Sequence, residues 1–265
     1  MQFVTISDKG LVRPNNEDYL EGAQIRWSGP FGKVEEVTVL ILADGMGGAA
    51  AGEYASMLAV RTTKDKVFEG ILNRPPEELL RADLNAFLST CFKKANSTIY
   101  QTSRENPDME GMGTTIVAAL IYEGIMTLGH VGDSRAYMVR GGTFRQITRD
   151  HSFVQELIDQ GKITPEQARQ HPNRNVITKA LGVSSEVEPE CKRYPLEQGD
   201  LLLICSDGLS GFAEDQDIGR MCKEAVTQTP VDLSALGNKL IELAKFGGGG
   251  DNVSVALYYH NPQNH

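Results

Sequence analysis

The feature that most constrains this chain is a recurring aspartate with a glycine beside it, placed four times against a strand-like or glycine-rich segment. The four aspartates are Asp44, Asp133, Asp207 and Asp251. Apolar, β-branched runs predict buried strands, so we expect each carboxylate at the end of such a strand, held rigidly near the core. The neighbouring glycine permits a sharp turn or a close approach of the backbone to a ligand.

Convergence of these carboxylates would require cations. One Asp-Gly pair is most simply a turn, but four in one chain are harder to explain in that way. Carboxylates 4 Å apart repel by about 4 kcal/mol per pair at an effective dielectric constant near 20, so folding would gather them only around metal. The donor set is all oxygen, with no paired Cys or spaced His nearby, which favours Mg²⁺ or Mn²⁺ over zinc. Two such ions close together commonly activate water against phosphorus.

An arginine near the N terminus precedes two adjacent acids. Arg13 can bind two phosphate oxygens through its planar guanidinium. Glu17, four residues later, can reach a metal-bound water. Taken alone, such a segment is more often a surface arginine near solvated acids such as Asp18. It therefore supports a phosphate site only in combination with the four aspartates.

Composition narrows the class of protein. The chain has 265 residues, 40% of them hydrophobic, and a net charge of −9, which is typical of a globular domain and disfavours binding to nucleic acid or anionic membranes. The four cysteines are scattered without a CxxC pair, as expected of reduced core residues in a cytoplasmic protein. We find no linker, no signal-peptide order and no run long enough to span a bilayer. We expect one domain over residues 1–265.

Hydrophobic periodicity predicts a mixed fold. The predicted strands are Val37–Ala43, Thr114–Ile121, Met126–Val131, Leu201–Cys205 and Val253–Tyr258, and the predicted helices are Gly52–Phe68, Pro76–Arg104 and Pro230–Lys245. A capping box predicts a short helix after Thr164, and Gly141-Gly142 predicts a hairpin turn between Tyr137 and Ile147. Because helices come in pairs between groups of strands, we expect an α+β fold of packed antiparallel sheets with helices outside.

Read in order, the motifs resemble the metal-dependent Ser/Thr protein phosphatases of the protein phosphatase type 2C family, in the form of its bacterial members. They are Arg13…Asn16-Glu17-Asp18, Ala43-Asp44-Gly45-Met46-Gly47-Gly48, Gly52-Glu53, Ala55-Ser56, Gly113-Thr114-Thr115, Gly132-Asp133-Ser134-Arg135, Thr148-Arg149-Asp150-His151-Ser152, Ala180-Leu181-Gly182, Ser206-Asp207-Gly208-Leu209 and Gly250-Asp251-Asn252. The motifs cover nearly the whole chain. Each is weak alone, but the ordered set is highly specific.

The resemblance implies a four-layer α-β-β-α sandwich of two mainly antiparallel sheets flanked by helix pairs. It also implies two tightly bound Mg²⁺ or Mn²⁺ ions and a third, weaker one. Asp44 would bridge the two ions, Asp207 and Asp251 would complete the first site, and Glu17 with the Gly45 carbonyl would serve the second. Asp133 with Asp207 would hold the third ion.

The resemblance further implies the reaction. Arg13 would bind the substrate phosphate, while Asp18 and Asn252 would orient the metal ligands. The enzyme would hydrolyse phosphoserine and phosphothreonine in proteins by direct attack of a metal-bridging water on phosphorus. Its substrates would be the products of a Ser/Thr protein kinase, and we expect a monomer.

Two positions depart from the family pattern. Some relatives carry a histidine directly after the metal-binding Asp-Gly, and many bacterial ones carry one after the DGMGG motif; here these positions are Met46 and Ala49. Protonation of the leaving alkoxide would therefore come from a metal-bound water or another group, with His151 and His171 as candidates. The polar segment from residue 151 to 175 occupies the place of the family's flap, and we expect it to contact substrate.

Two other classes remain open from the sequence. One is a catalytically inactive scaffold that keeps the fold and binds phosphoproteins, which the complete acidic set disfavours. The other is a two-metal nuclease with the same carboxylates, which the acidic net charge and the lack of basic or aromatic stripes disfavour.

Overall fold

Two antiparallel sheets form the centre of the molecule. The computed structural model describes residues 2–28, 34–73, 78 and 81–261. One sheet has the strand order β1-β11-β10-β7-β8 and the other β2-β3-β5-β6-β9, with β4 paired to β3. The strands are β1 (Phe3–Asp8), β2 (Asp18–Ser28), β3 (Val34–Met46), β4 (Gly113–Thr114), β5 (Ile116–Tyr122), β6 (Ile125–Val131), β7 (Arg135–Arg140), β8 (Thr143–Gln146), β9 (Glu190–Pro195), β10 (Leu201–Cys205) and β11 (Val253–Tyr259).

The helices cover the outer faces of the sheets. They are α1 (Ala49–Leu72), α2 (Leu84–Glu105), α3 (Phe153–Asp159), α4 (Pro165–Arg169), α5 (Asp207–Ser210), α6 (Asp215–Val226) and α7 (Leu233–Phe246), with a 3₁₀ turn at Pro107–Met109. Within the described ranges, none of these helices combines the length and the apolar character that a bilayer span requires.

The central layers explain why several strands read as unbroken apolar runs. Leu40 and Leu42 of β3 pack between the sheets against Leu202 and Ile204 of β10. Alternate residues of β3, such as Ile41, face the opposite way, toward α1 and α2. On the far side, α6 and α7 cover the outer face of the other sheet. Both faces of these central strands are therefore buried, and the predicted four-layer α-β-β-α sandwich is confirmed.

The long helix predicted from Pro76 to Arg104 is wrong as one element. Residues 74–77 and 79–80 lie outside the described residues, and the chain leaves the helical conformation at Ala82 and Asp83. The Asp83 carboxylate accepts hydrogen bonds from the backbone N–H groups of Asn85 and Ala86, both at 3.1 Å. Asp83 thus caps a new helix, α2, because a short acidic side chain satisfies the free N–H groups of a first turn.

Two local predictions are confirmed. The strands β7 and β8 form the hairpin that turns at Gly141-Gly142, with Arg140 opposite Thr143. Thr164 and Gln167 form the predicted capping box at the start of α4: the Gln167 N–H donates to Thr164 Oγ1 at 3.3 Å and the Thr164 N–H donates to Gln167 Oε1 at 2.8 Å.

The sheet register brings three of the four aspartates to one edge. In the antiparallel sheet, Cys205 at the end of β10 lies beside both Val255 of β11 and Arg135 at the start of β7. Asp207 follows β10, Asp251 precedes β11, and Asp133 precedes β7. The expectation that every aspartate ends a strand is therefore wrong for Asp251, which stands before a strand.

Candidate metal centre

Asp44 lies at the centre of the carboxylate cluster. It sits within β3, which continues to Met46, and its register partner on β2 is Asp18. Burial raises the pKa of Asp44 well above 3.8, and the negative charges of Asp18, Asp207, Asp133 and Asp251 raise it further. Four other carboxylates are thus close enough to act on one side chain, which is the convergence predicted from the sequence.

Asp207 is close enough to Asp44 to share a hydrogen bond with it. Burial raises the pKa of Asp207 and the charge of Asp251 adds to this, while the hydrogen bond to Asp44 opposes both. Two carboxyl groups can share a hydrogen bond only when one of them keeps its proton. A divalent cation relieves the same repulsion without a proton, so this oxygen-rich pair fits Mg²⁺ or Mn²⁺.

Asp133 occupies the turn between β6 and β7, on the other side of Asp207. Its pKa is raised to about 8, first by burial and then by the charges of Asp207 and Asp150. Asp133 is therefore close enough to Asp207 for the two charges to interact, and its predicted role at a further ion stays a prediction.

Two hydrogen bonds to its main-chain carbonyl hold Glu17 in place. Its carbonyl accepts hydrogen bonds from the Gly45 N–H at 3.1 Å and from Ser56 Oγ at 2.6 Å. Burial raises the pKa of the Glu17 carboxyl, while the charge of Arg13 opposes this rise. The backbone of Glu17 is thereby fixed to the end of β3 that follows Asp44 and to the first turns of α1.

Two glycines make room for this contact. A Cβ on Gly45 would lie 2.0 Å from the carbonyl oxygen of Gly52, and a Cβ on Gly52 would lie 2.1 Å from Glu17 Oε2. Neither position can accept a side chain without moving Glu17 or the start of α1. Gly52 and Ser56 belong to the quoted motifs, yet the sequence alone assigned them no part in the site.

Arg13 stands at the rim of the cluster. Its guanidinium donates to Asp251 Oδ2 at 2.8 Å, and about half of its side chain is exposed. The first cause of the raised Arg13 pKa is this hydrogen bond. The loop that carries Arg13 rests on the same aspartate, because Gly10, with φ of 76°, would place a Cβ 2.1 Å from the Asp251 carbonyl oxygen.

Asn252 ties the N-terminal loop to the cluster. Its Oδ1 accepts from the Glu17 N–H at 2.8 Å, and its Nδ2 donates to the carbonyls of Lys9 at 2.9 Å and Asn15 at 2.8 Å. The side chain contacts backbone on both sides of Arg13. It therefore sets the position of the loop that carries Arg13 and Glu17.

Asp18 lies beneath the cluster and is buried. Its Oδ2 accepts from Ser206 Oγ at 2.8 Å, and Ser206 Oγ in turn accepts from the Ser254 N–H at 3.0 Å. The pKa of Asp18 rises to about 7, chiefly because of burial. Asp18 thus connects β2 with the strands that flank Asp207 and Asp251.

A pair of hydroxyls supports Asp44, and sequence reasoning did not give them this role. Thr115 Oγ1 accepts from the Asp44 N–H at 3.0 Å and pairs with Ser134 Oγ at 2.8 Å. Thr114 Oγ1 donates to the Asp44 carbonyl at 2.8 Å. The only sequence signal was the Gly113-Thr114-Thr115 motif, which cannot show that these hydroxyls meet Asp44 and Ser134.

A cleft of about 430 Å³ opens from Asp133, Asp207 and Asp251 toward residues 151–175. Arg169 and Arg174 both line it. Both side chains are exposed, but Arg169 lies 3.4 Å from carboxylate oxygens of both Glu214 and Asp215.

The two histidines considered as proton donors do not reach the cluster. Both ring nitrogens of His151 are hydrogen-bonded, to the Gly132 N–H and to Glu190 Oε1. His171 packs against Phe153, and its Nδ1 accepts from the Asn173 N–H at 3.1 Å. Neither residue is among those that line the cleft.

Comparison with known proteins identifies the family. A sequence profile described as "Protein phosphatase 2C" matches residues 24–235, which is most of the chain. The chain belongs to the protein phosphatase 2C family. The family inferred from the motifs is thereby confirmed.

Relatives of this protein phosphatase 2C chain include two named bacterial phosphatases. It is 42% identical over 258 residues to "Serine/threonine protein phosphatase PstP" of Mycobacterium tuberculosis, covering 97% of this chain and 44% of the relative. It is 35% identical over 251 residues to "Serine/threonine phosphatase stp" of Listeria monocytogenes, covering 95% of this chain and 92% of the relative. The chain thus spans less than half of the mycobacterial relative and almost all of the Listeria one.

Solved structures show the same fold. The crystal structure of the Mycobacterium tuberculosis phosphatase PstP/Ppp superimposes with a TM-score of 0.79 at 40% identity, covering 97% of this chain and 98% of that one. The catalytic domain of PstP in complex with two manganese ions matches with a TM-score of 0.76 at 39% identity, covering 96% of each chain. These matches agree with the sheet order and layers described above.

Proposed function

We propose that this chain hydrolyses phosphoserine and phosphothreonine in proteins with the help of Mg²⁺ or Mn²⁺. The observation that carries the proposal is the cluster of Asp44, Asp133, Asp207 and Asp251 around one edge of the sheets, with Arg13 at its rim. Relatives that match this chain over nearly their whole length are named Ser/Thr phosphatases, and one structural relative holds two manganese ions.

The carboxylates divide into groups by position. Asp44 would be shared by two ions, since it faces Asp207 on one side and the Glu17 loop on the other. Asp207 and Asp251 would complete one site, and Glu17 with the Gly45 carbonyl would serve the second. When bound, two such ions supply an activated water and neutralise charge on the phosphate oxygens.

Asp133 would share a third, weaker ion with Asp207. It precedes β7, which pairs with the strand that leads to Asp207, so a further ion between these two carboxylates would be held from this side of the cluster. Asp18 and Asn252 would act indirectly: Asp18 through Ser206, and Asn252 through the backbone of Glu17 and Asn15.

Arg13 would bind the phosphate of the substrate. Its guanidinium is partly exposed and close to Asp251, so a phosphate above the cluster lies within its reach. The planar fork donates two parallel hydrogen bonds to phosphate oxygens, which stabilises the charge that develops in the transition state. Substrate would exchange part of the Arg13–Asp251 contact for these bonds.

The proton for the leaving alkoxide would come from water. Met46 and Ala49 carry no acidic proton, and the nitrogens of His151 are committed to Gly132 and Glu190. A cleft of about 430 Å³ beside the cluster leaves room for water next to the leaving group.

The substrates would be phosphoproteins made by a Ser/Thr protein kinase, with residues 151–175 as a flap at their side. We propose that this flap belongs to one catalytic domain over residues 1–265 and that the domain acts as a monomer. The cleft of about 430 Å³ is lined both by the cluster and by the flap, so a phosphoresidue at the cluster would place its neighbours beside the flap.

The decisive test is hydrolysis of a phosphothreonine peptide with and without metal. Activity should vanish after exhaustive treatment with EDTA and return with Mn²⁺ or Mg²⁺, and Asp44→Asn should remain inactive under both conditions. Thiol alkylation should have little effect, because Cys91, Cys205 and Cys222 are buried and burial raises the pKa of the partly buried Cys191 thiol to about 11. Full activity in EDTA would falsify the two-metal reading.

The same preparation separates the alternatives. Binding of the phosphopeptide without turnover in saturating Mn²⁺ would indicate an inactive scaffold. Cleavage of a single-stranded oligonucleotide in preference to the phosphopeptide would indicate a nuclease.

A further inference from the structure

We propose that His151 is a positioning residue: its imidazole fixes the peptide group of Gly132 and thereby the orientation of Asp133. The proposal rests on the proposed function only where it predicts metal affinity and turnover. Its central observation is a cluster of two buried histidines, His130 and His151, with the partly exposed Glu190, which the phosphatase mechanism above does not use.

The three residues come from separate parts of the fold. His130 lies near the end of β6, Glu190 begins β9, and His151 lies two residues before α3. The two imidazole rings are stacked, with centroids 4.8 Å apart and planes 6° from parallel. The cluster thus joins the strand that leads to Asp133 with the beginning of the flap.

This cluster does not have the geometry of a metal site. The lone pair of an imidazole nitrogen lies in the ring plane, so a metal bound by both histidines would have to lie in both planes. Stacked, nearly parallel rings do not allow this. Moreover, His130 Nε2 contacts the Arg149 carbonyl at 2.8 Å, and both nitrogens of His151 already have partners.

The hydrogen bonds of His151 point to a different role. Its backbone N–H donates to the Gly132 carbonyl at 2.9 Å, and its Nδ1 accepts from the Gly132 N–H at 3.1 Å. Because Nδ1 accepts, the proton of the neutral ring is on Nε2, which donates to Glu190 Oε1 at 3.0 Å. Glu190 therefore selects the tautomer in which His151 can hold Gly132.

The peptide held in this way is the one that aims Asp133. Gly132 has φ of 108°, a conformation that favours glycine, and a Cβ there would lie 2.6 Å from Thr115 Cγ2. On the other side of Asp133, Ser134 Oγ pairs with Thr115 Oγ1 at 2.8 Å. Asp133 is thus clamped between His151 on one side and Thr115 on the other.

His151 also connects this clamp to the flap. Its carbonyl accepts from the Thr178 N–H at 2.8 Å, and the next residue, Ser152, pairs with Ile177. Both ends of the segment from residue 151 to 175 therefore meet at the residue that holds Gly132.

Paired variants test the role of the ring. In His151→Asn the side-chain Oδ1 takes the place of Nδ1 and can accept from Gly132, whereas His151→Leu is similar in size and cannot. In the metal-free protein, hydrogen exchange of the Gly132 amide should accelerate at least about tenfold in His151→Leu and stay within about threefold of wild type in His151→Asn. This readout needs neither metal nor substrate, so it stands even if the proposed function fails.

Metal binding and turnover supply the second readout. The Mn²⁺ concentration for half-maximal binding of the weakest ion should rise several-fold in His151→Leu, as in Asp133→Ala, while the tight ions remain bound. The double variant should lose no more than Asp133→Ala alone, because both changes act through one carboxylate. His171→Leu, on the same segment, is the matched control and should leave the Gly132 amide unchanged.

Three results would overturn the proposal. The first is an unchanged rate of Gly132 amide exchange in His151→Leu. The second is the same exchange rate in the His151→Asn and His151→Leu variants. The third is a double variant whose loss of Mn²⁺ affinity and turnover equals the sum of the losses in His151→Leu and Asp133→Ala. Should His151→Leu not fold, Glu190→Ala serves instead, because it removes the tautomer's partner and leaves the ring in place. Glu190→Ala should accelerate exchange of the Gly132 amide, whereas Glu190→Gln, which keeps an acceptor oxygen, should not. Equal exchange rates in these two variants would also overturn the proposal.

Discussion

Asp18 and Asp44 lie directly opposite each other in the register of β2 and β3. Like charges across a strand pair destabilise a sheet, and here burial adds a larger penalty: it is the first cause of the raised pKa at both residues. The protein without metal is therefore under electrostatic repulsion where catalysis would occur. Catalytic power and metal-free stability should respond in opposite directions to the loss of one carboxylate.

We expect Asp44→Asn and Asp207→Asn each to lower turnover at least about a hundredfold, a barrier increase of about 2.7 kcal/mol. In EDTA at pH 8, the same variants should melt at higher temperature than wild type, because a buried like charge is gone. A gain of about 1 kcal/mol would raise Tm by roughly 2–4 °C in a domain of this size. Phosphopeptide kinetics and thermal melts measure the two effects.

The exposed Asp108, on the 3₁₀ turn, supplies the control. Asp108→Asn removes the same charge at an exposed position outside the aspartate cluster and should alter neither turnover nor metal-free Tm. A folded Asp44→Asn enzyme with near wild-type turnover would show that Asp44 is not a ligand. A lower Tm in EDTA would show that Asp44 stabilises the fold without metal.

The sequence could predict the layers of this fold because its strands carry unbroken apolar runs. Val39 packs toward the helices and Leu40 packs between the sheets, so both faces of β3 are buried and its residues from Val39 to Ala43 are all apolar. Helix limits were less predictable. The apolar periodicity continues through Ala82 and Asp83, whereas the short-range capping by Asp83 ends one segment there and begins α2.

Parts of the site depend on contacts between distant residues, which spacing cannot show. Ser134 meets Thr115, and Arg169 meets Asp215, only after the sheets and helices pack. The Asp-Gly motifs did predict which carboxylates gather. They misplaced Asp251 relative to its strand, because only glycines precede Asp251 whereas the apolar run that forms β11 follows it.

Arg13 should act on substrate more than on the fold. Arg13→Ala should lower kcat/KM for phosphoesters about tenfold or more, chiefly through KM, with a fall in kcat if the contact strengthens in the transition state. Arg13→Lys should recover only part of this, because a single ammonium cannot reproduce the planar fork. Steady-state kinetics of both variants measure this difference.

The exposed Arg104 near the end of α2 is a suitable control for charge alone. Arg104→Ala should leave the kinetics unchanged. If kcat/KM of Arg13→Ala equals that of wild type, Arg13 does not bind the phosphate.

Asp133 should make metal-free stability depend on pH. Its pKa is about 8 in the folded protein, against an ordinary value of 3.8. Between these values the folded protein binds more protons than the unfolded chain, so this residue's contribution to stability falls as pH rises. Asn does not titrate, so the Tm advantage of Asp133→Asn over wild type in EDTA should grow from pH 5 to pH 8 and then level off.

Thermal melts of both proteins across this range measure the difference, with Asp108→Asn as the reference. With Mn²⁺ present, Asp133→Asn should keep two tightly bound ions and still turn over more slowly. A constant Tm difference from pH 5 to pH 9 would mean that Asp133 is ionised in the folded protein throughout. Loss of the tight ions, seen by calorimetry, would place Asp133 among their ligands.

The flap should distinguish a protein substrate from a small one. Arg169, His171 and Arg174 are its polar candidates, but two of them are engaged: Arg169 with Glu214 and Asp215, and His171 with Phe153. Arg174 also lines the cleft and is exposed, so we expect its guanidinium, which these ion pairs do not engage, to contact a bound peptide. Arg174→Ala should keep hydrolysis of p-nitrophenyl phosphate within about threefold, roughly 0.65 kcal/mol, and lower kcat/KM for phosphothreonine peptides by more than that.

Arg169→Ala should instead lower both activities to a similar extent, because it loosens α4 from the start of α6. Equal losses on both substrates for Arg174→Ala would give Arg174 a structural role, and no loss on either would move peptide recognition elsewhere on the surface.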